Sequence, residues 1–433
     1  MTRVVVAGGG IAGLACAYEL HKGGAQVTVV EKERLGGVIR TERHGEFLVE
    51  GGPDSFLTTK PWAKELCEEI GLGDRLIPSR SRKVWVLWDG RLHEMPEGVF
   101  LTVPTRFWPF MKSSLLSFCG KLRMGMDYFL PRGPEVEDES IGSFIRRRLG
   151  AEALEKLAEP IMAGIYVASA DELSLRATFP RFADMEREHR SLIRALRRAA
   201  PPAGNVSPFQ SLRGGMAEFV DRLVERMPDV RFVTGREVRK VELPRVEVEG
   251  DVLEADAAVL AVPAHAAARL LPGVPAIRYV TSSTVTLAYR KFRQLEGTGF
   301  VIPRTQDRRI LACTWTSNKF EGRSPEDHLM VRCFIKGGCS DPEGTAHAEM
   351  EEILDAKEKP VFSRVFHWPD RNPVYEVGHE RRIRDFEATL PAGVHVCGSG
   401  FHGTGIPDCV RDGRAVARRI LGAKQDPLSP KSS

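Results

Sequence analysis

The chain has 433 residues, 42% of them hydrophobic and 28% charged, with a formal net charge of +4. That length supports two or three domains with sizeable cores, and the dispersed, nearly balanced charge gives no footing for nucleic acid. No stretch approaches the ~18 uninterrupted apolar residues of a spanning helix, and no leader precedes the first strand, so the expectation is a protein made and kept in the cytosol.

The first predicted element is a buried strand, Val4-Val5-Val6-Ala7, leading through Gly8-Gly9-Gly10-Ile11-Ala12-Gly13 into a helix. A second strand, Gln26 to Val30, closes on Glu31 and Lys32. Gly8 makes the tight turn, Gly10 lets the backbone approach a pyrophosphate at the helix N-terminus, and Gly13 allows close helix–strand packing. Glu31 stands where a ribose would sit. A bare GxGxxG says little, but the flanking strand, helix and carboxylate make this a dinucleotide site.

Glu50-Gly51-Gly52-Pro53-Asp54-Ser55 then turns sharply away, a geometry that can bring backbone amides to a cofactor. A helix is predicted over Pro61–Ile70, and strands over Lys83–Trp88 and Arg91–Met95 around the turn Asp89-Gly90. Leu101 to Leu130 is rich in Phe, Leu, Met and Trp. Helical core is its plainer reading. The alternative is an amphipathic patch on a membrane, with Arg106, Lys112, Lys121 and Arg123 meeting anionic lipid beside Phe107, Phe110 and Leu115. Helices follow at Ile141–Leu149 and Leu154–Met162, and a basic helix at Met185–Ala200.

The first domain then returns. A helix over Ala217–Arg226, a strand at Val230–Thr234, the segment Arg236-Glu237-Val238, the alternation Val246–Glu249 and the apolar run Ala257–Val262 supply more sheet. Val280–Tyr289, Gly299–Ile302, Ile310–Trp315 and His328–Phe334 read as the antiparallel sheet of a substrate domain. Near the end, Val394 to Gly403 again matches strand plus GxGxxG, yet no second acid-terminated strand follows. The chain continues into one helix, Pro407–Leu421, whose N-terminus Pro407 and Asp408 mark. Such an end can face the pyrimidine edge of a flavin. The eight cysteines form no CxxC pair and the eleven histidines no HExxH pair, so reduced packing thiols and no metal are expected.

The expected fold is mixed α/β, with a Rossmann-like FAD-binding domain built from discontinuous segments 1–56, 205–275 and 385–433. A substrate-binding domain of antiparallel sheet would comprise 57–80 and 276–384, and a mainly helical subdomain 81–204.

Family resemblance sharpens this. Arg34-Leu35-Gly36-Gly37-Val38-Ile39-Arg40-Thr41 resembles the second glycine motif of the flavin amine oxidase and porphyrinogen oxidase superfamily. Gly51–Phe56, Gly164-Ile165-Tyr166 with Leu173-Ser174 and Thr178-Phe179-Pro180, Phe300–Pro303, Arg332–Gly338 and Gly405–Cys409 resemble the oxygen-dependent porphyrinogen oxidases, as does Trp368-Pro369 through Gly378-His379. One departure is Val374, where the family pattern has glutamine. The resemblance implies non-covalent FAD held by Gly8, Gly9, Gly10, Ile11, Ala12, Gly13, Glu31, Lys32, Val38, Gly52, Pro53, Asp54, Ser55, the backbone at Val238, Trp368, Gly398, Gly405, Ile406 and Pro407.

It further implies six-electron aromatisation of a porphyrinogen during haem synthesis, with oxygen as acceptor and hydrogen peroxide released. Val301 and Phe334 would line the tetrapyrrole, with Asp54 a polar group near the reacting face. No catalytic base is assigned, because holding a bridge carbon against flavin N5 in a dry pocket is what the chemistry demands. Arg82, Lys83 and Arg91 are candidates for binding propionates; one family member places an arginine about where this chain has Phe100, a departure that leaves the carboxylate anchor open. Protoporphyrinogen IX versus coproporphyrinogen III stays open, as do peripheral attachment to the inner face of the membrane and handover to the next enzyme of the pathway. A flavin amine oxidase, a carotenoid-desaturase-like enzyme and a non-catalytic FAD module are the alternatives.

Overall fold

A computed structural model describes residues 1–96, 99–100, 102–104, 106–199 and 207–422. Leu101, the side chains of Phe100 and Phe107, Ala200 and the segment ends 205–206 and 423–433 lie outside the described residues.

Strands Arg3–Ala7, Gln26–Glu31, Arg231–Thr234, Ala257–Leu260 and Val394–Val396 form one parallel sheet, in which Arg3–Ala7 lies between Gln26–Glu31 and Ala257–Leu260. Numbered along the chain the order is 3-2-1-4-5, the doubly wound arrangement whose ligands sit beyond the carboxyl ends of the strands. Helices Ile11–Lys22 and Ile406–Ile420 both leave that edge. They pack so closely that a Cβ at Gly413 would stand 2.1 Å from the carbonyl oxygen of Ala12.

The second sheet has seven strands: Phe362–Pro373, Tyr279–Arg290, His328–Lys336, Ile310–Thr314, Gly299–Val301, Trp85–Trp88 and Arg91–Glu94, in that spatial order. One face is closed by the Pro342–Leu354 helix, where Ala346, Met350 and Leu354 join Val285, Cys313, Val331 and Cys333 in a buried core. The other face carries Thr284 and Arg332, which bond the carbonyls of Glu50, Gly51 and Gly52.

Two expected boundaries move. Residues 57–80 pack on the dinucleotide domain, with Ala63, Leu66, Cys67, Ile70 and Leu72 inside its core. Strands 85–88 and 91–94 join the seven-stranded sheet rather than the helical region, because the Trp85 and Val86 backbones pair with Phe300 and Val301. The expected helix Met185–Ala200 is two helices, Pro180–His189 and Leu192–Ala199. Arg190 adopts φ +65° between them, its carbonyl accepts from Arg148, and Ser191 and Ile193 donate to the buried carboxylate of Asp127. Those long-range contacts override a continuous helical pattern. The strand Phe362–Pro373 and the helix Pro342–Leu354 carry no expectation from the sequence.

Candidate flavin and substrate site

The first glycine turn is built by the absence of side chains. Gly8 has φ +107°, and a Cβ there would lie 2.4 Å from the Ala261 carbonyl, while one at Gly13 would lie 2.0 Å from that of Gly8. Gly10 has nothing within 4 Å of its Cβ position. It caps the Ile11–Lys22 helix without a side-chain bond, so the first-turn N–H groups, including those of Ile11, Ala12 and Gly13, remain open to an anion. Glu31 accepts from the Gly9 and Glu33 amides at 2.7 and 2.9 Å, which fixes its carboxylate at the mouth of this turn. Gly36 pairs with Gly10, and its amide donates to the Gly9 carbonyl at 2.7 Å, laying the second glycine motif against the first. Val38 follows, half exposed, and its carbonyl sits where a Cβ at Gly52 would fall, at 1.8 Å. The Arg236 amide donates to the Glu31 carbonyl, bringing the segment of Val238 beside the same edge. Lys32 points away into an exposed pair with Glu33.

The turn at Gly51–Asp54 lies across the open face of the seven-stranded sheet. Trp368 Nε1 and Thr284 Oγ1 both donate to the Gly51 carbonyl, at 3.0 and 2.7 Å, and Arg332 donates to the carbonyls of Glu50 and Gly52. Asp54 is buried against Lys319 at 2.9 Å, Ser55 at 2.7 Å and Arg332 at 3.7 Å. Burial opposes its charge, but the two cations and the Ser55 hydroxyl outweigh it and hold the carboxyl well below the usual range. Asp54 is therefore a fixed anion within the scaffold.

Register places the substrate candidates in one row. Thr284 pairs with Phe334, Phe334 with Ala312, Ala312 with Val301 and Val301 with Val86, and paired residues share a face. The row lies on the sheet face opposite the Pro342–Leu354 helix. Gly51–Asp54 bounds one side, and the end of the Glu159–Tyr166 helix the other, where the Cβ position of Gly164 lies 3.6 Å from Ala312 and 3.7 Å from Val301. Val167 follows at φ +56°, a strained conformation for a β-branched residue.

The second glycine cluster is held differently. Gly398 has φ +100°, and its amide donates to Asp412 at 2.7 Å. Tyr375 spans the loop, donating to the Ser399 carbonyl at 2.6 Å and accepting from the Gly403 amide at 2.9 Å. His379 stacks on Tyr375, with ring centroids 4.2 Å apart, and donates through Nε2 to the Phe401 carbonyl. His402 bridges Asp412 and Glu387 at 3.2 and 3.3 Å. The loop ends at Gly405, which caps the Ile406–Ile420 helix without a side-chain bond. Pro407 lacks an N–H, and Asp408 pairs with Lys60 at 2.6 Å.

Two uncapped helix ends, an open Gly10 and a fixed ribose-side carboxylate fit a bound flavin nucleotide. The profile described as Flavin containing amine oxidoreductase matches residues 11–421. The chain belongs to that family. Its similarity is near full length. It is 34% identical to the coproporphyrinogen III oxidase of Bacillus subtilis, covering 97% of this chain and 98% of that protein. It is 36% identical to the one from Propionibacterium freudenreichii, covering 97% and 91%. A solved structure from Exiguobacterium sp. superposes with a TM-score of 0.87 at 28% identity, covering 97% of this chain and 98% of that one. Reduced UDP-galactopyranose mutase, at 14% identity and a TM-score of 0.75 over 98% of this chain and 97% of that one, shares the fold alone.

As a flavin oxidoreductase of this family, the chain uses several residues that sequence reasoning missed. Lys319 sits on a one-turn helix, and Arg332 shares a strand face with Phe334, so both come to Asp54 only in the fold. Arg323, buried, bonds Ser211, whose hydroxyl donates to the Asp54 carbonyl. The expected propionate cations fare worse. Lys83 is bound by Glu94 and Glu296, and Arg91 lies on the edge strand, four strands or roughly 19 Å from Phe334. Arg82 precedes that edge and has interactions of its own. Among the described residues no group of three or more His, Cys, Asp or Glu could hold a metal.

Proposed function

We propose that this protein oxidises coproporphyrinogen III to the aromatic porphyrin in haem synthesis, with non-covalent FAD and with oxygen as the final acceptor. What carries this reading is the near-full-length identity to coproporphyrinogen III oxidases, together with an apolar row beside the Gly51–Asp54 turn.

When bound, FAD supplies the hydride acceptor, and its reoxidation by oxygen releases hydrogen peroxide. Val301, Ala312 and Phe334 give the substrate a flat apolar floor, and Gly164 lets it approach the neighbouring helix. Trp368, Thr284 and Arg332 fix the opposite wall through backbone carbonyls. The N-terminus of the Ile406–Ile420 helix offers a positive dipole to developing negative charge. Lys319 and Arg332 keep Asp54 ionised, so it orients the wall and donates no proton near neutrality. Positioning accordingly does most of the work.

The test is direct. Purified protein should carry FAD, and with coproporphyrinogen III it should consume oxygen and yield peroxide and porphyrin fluorescence. Oxidation of primary amines without porphyrinogen turnover would replace this reading with that of an amine oxidase.

A peripheral membrane contact accompanies the proposal, with a face different from the expected one. Phe110 and Leu115 are buried, Lys121 is spent on the carbonyls of Met111 and Ser113, and Arg123 on those of Arg146, Arg147 and Arg148. The outward stripe is instead Phe118, Leu122, Met126 and Phe129, at helical spacing, with Trp108 nearby in sequence, each between 49% and 80% exposed. Arg194 and Arg197 surround Tyr128 beside it, and Arg106 and Lys112 are exposed, a pattern suited to anionic lipid. No helix among the described residues is long and apolar enough to cross a membrane.

A further inference from the structure

The floor row around Phe334 continues one step to Lys336. Residues two apart on a strand share a face, so Lys336 lies on the substrate side, roughly 7 Å beyond Phe334 along the strand. It pairs with Ser282, which in turn pairs with Trp368, so the same row reaches the residue that clamps Gly51. Lys336 is exposed, and its ammonium makes no hydrogen bond or ion pair among the described residues.

The neighbouring charges are mostly committed. Arg278 bridges Glu172 and Glu376 at 2.9 and 3.2 Å. Glu172 also accepts from the Ser169 amide, and Glu159 from the Ala170 amide at 2.8 Å. Arg304, three residues after Val301, reaches Glu159 at 3.8 Å and no other carboxylate among the described residues. Burial and then the positive field of Arg304 push the Lys336 ammonium below its ordinary proton affinity, the condition an incoming anion relieves. Two under-partnered cations thus stand at the rim of an otherwise apolar floor.

We propose that Lys336, assisted by Arg304, anchors a carboxylate arm of the substrate and sets the preference among porphyrinogens. This rests on the porphyrinogen reading above. Six-electron aromatisation takes three hydride removals, and where different bridge carbons meet the one reacting point in turn, the macrocycle is presented in more than one rotation. Coproporphyrinogen carries a propionate on every pyrrole, and each rotation delivers a carboxylate to the rim. Protoporphyrinogen carries vinyl groups on two pyrroles, and some rotations leave Lys336 facing an apolar arm. One cation pair at one place therefore discriminates by the number of propionates.

The experiment compares the wild-type holoenzyme with Lys336→Met, Lys336→Arg and Arg304→Met, each checked for flavin content and Tm. Steady-state kinetics with coproporphyrinogen III and protoporphyrinogen IX are measured beside fluorescence titration with coproporphyrin III at low and high salt. Lys336→Met should raise KM for coproporphyrinogen about tenfold with kcat within about twofold, and should narrow the preference over protoporphyrinogen. Coproporphyrin binding should weaken similarly and lose most of its salt dependence. Lys336→Arg should restore both, and Arg304→Met should give a smaller shift in the same direction. Unchanged KM, preference and binding in a wild type that turns over porphyrinogens would overturn the anchor alone. A wild type that oxidises no porphyrinogen and binds no coproporphyrin would overturn the functional reading and the anchor with it.

Discussion

The two glycine turns follow the same sequence pattern and leave the same sheet edge, yet they are held by opposite means. The first, Gly8–Gly13, is shaped by missing side chains: Cβ atoms at Gly8 and Gly13 would strike main-chain carbonyls, and among the described residues Glu31 alone bonds its backbone through a side chain. The second, Gly398–Gly405, is shaped by side chains from elsewhere, with Tyr375 and His379 on its carbonyls and amides and with His402 between Asp412 and Glu387. A short motif can therefore encode the first turn locally. The second is encoded only together with residues that lie up to a few dozen positions away.

The largest expected effect separates space from strain within the first turn. Gly10→Val meets nothing in the fold, so the protein should fold with an unchanged Tm in the flavin-free state while losing its flavin, because the new side chain occupies the approach to the helix end. Gly13→Val should instead destabilise the apoprotein by about 3 kcal/mol or prevent folding, since its Cβ falls 2.0 Å from a carbonyl oxygen. Full flavin occupancy in Gly10→Val would remove the assignment of this turn.

The second turn should respond to pH. Burial opposes protonation of His402, but Asp412 and then Glu387 raise it to about 10, above its ordinary 6.5. The folded state binds that proton more tightly than the unfolded chain, so its stabilisation is complete below about pH 6.5 and is lost as pH rises towards 10. His379 runs the other way. Burial lowers it to about 4, so stability falls as pH drops from 6.5 towards 4. Wild-type Tm should therefore decline on both sides of about pH 6.5. His402→Gln should cost on the order of 2 kcal/mol at pH 6.5, allowing for its 28% exposure, and should flatten the alkaline limb only. His379→Gln should flatten the acid limb only. Identical pH profiles in all three proteins would mean that neither histidine secures the loop.

The same contrast explains what could be read in advance. The dinucleotide turn, Glu31 and the parallel strands were legible because they depend on neighbours in sequence: an apolar run, a turn without Cβ atoms, a terminal carboxylate. The assignment of Phe334 and Val301 came through family resemblance, and pairing register now puts them in one row. Lys319 and Arg332 were not legible, because a single lysine or an arginine inside an apolar strand carries no local signal of the carboxylate it meets. The strand Phe362–Pro373 escaped because Pro369 and Pro373 argue against a strand, although it occupies a sheet edge where missing N–H groups are tolerated. The outward apolar stripe was not singled out within Leu101–Leu130, because a one-dimensional pattern gives the period of a helix and leaves open which side the core covers.

A moderate effect is expected on the floor. Phe334→Ala removes an aromatic surface that Arg332 also covers, its guanidinium carbon 4.7 Å from the ring centre. Loss of aromatic contact worth about 1 kcal/mol should raise KM for the porphyrinogen about fivefold while flavin content stays complete. Arg332→Met should do more harm, because the Glu50 and Gly52 carbonyls and Asp54 would all lose a partner. Equal kinetics for Phe334→Ala and wild type would return Phe334 to a purely structural part.

The smallest effect concerns the stripe of Phe118, Leu122, Met126 and Phe129. Its neighbours Met124 and Asp127 are buried, so the helix is already packed on its other side and the outward residues are free of that core. Apolar contact with a bilayer surface combined with the cations around it should give salt-sensitive co-sedimentation with vesicles containing anionic lipid. Leu122→Glu adds one charge against that surface, and at about 1 kcal/mol per charge the bound fraction at low salt should fall about fivefold. Tm and porphyrinogen turnover in detergent-free buffer should not move, because Leu122 touches neither glycine turn nor floor. Absence of binding to anionic vesicles by the wild type, with a Leu122→Glu-sensitive dimer seen instead by sedimentation, would reassign the stripe to a second copy of the chain.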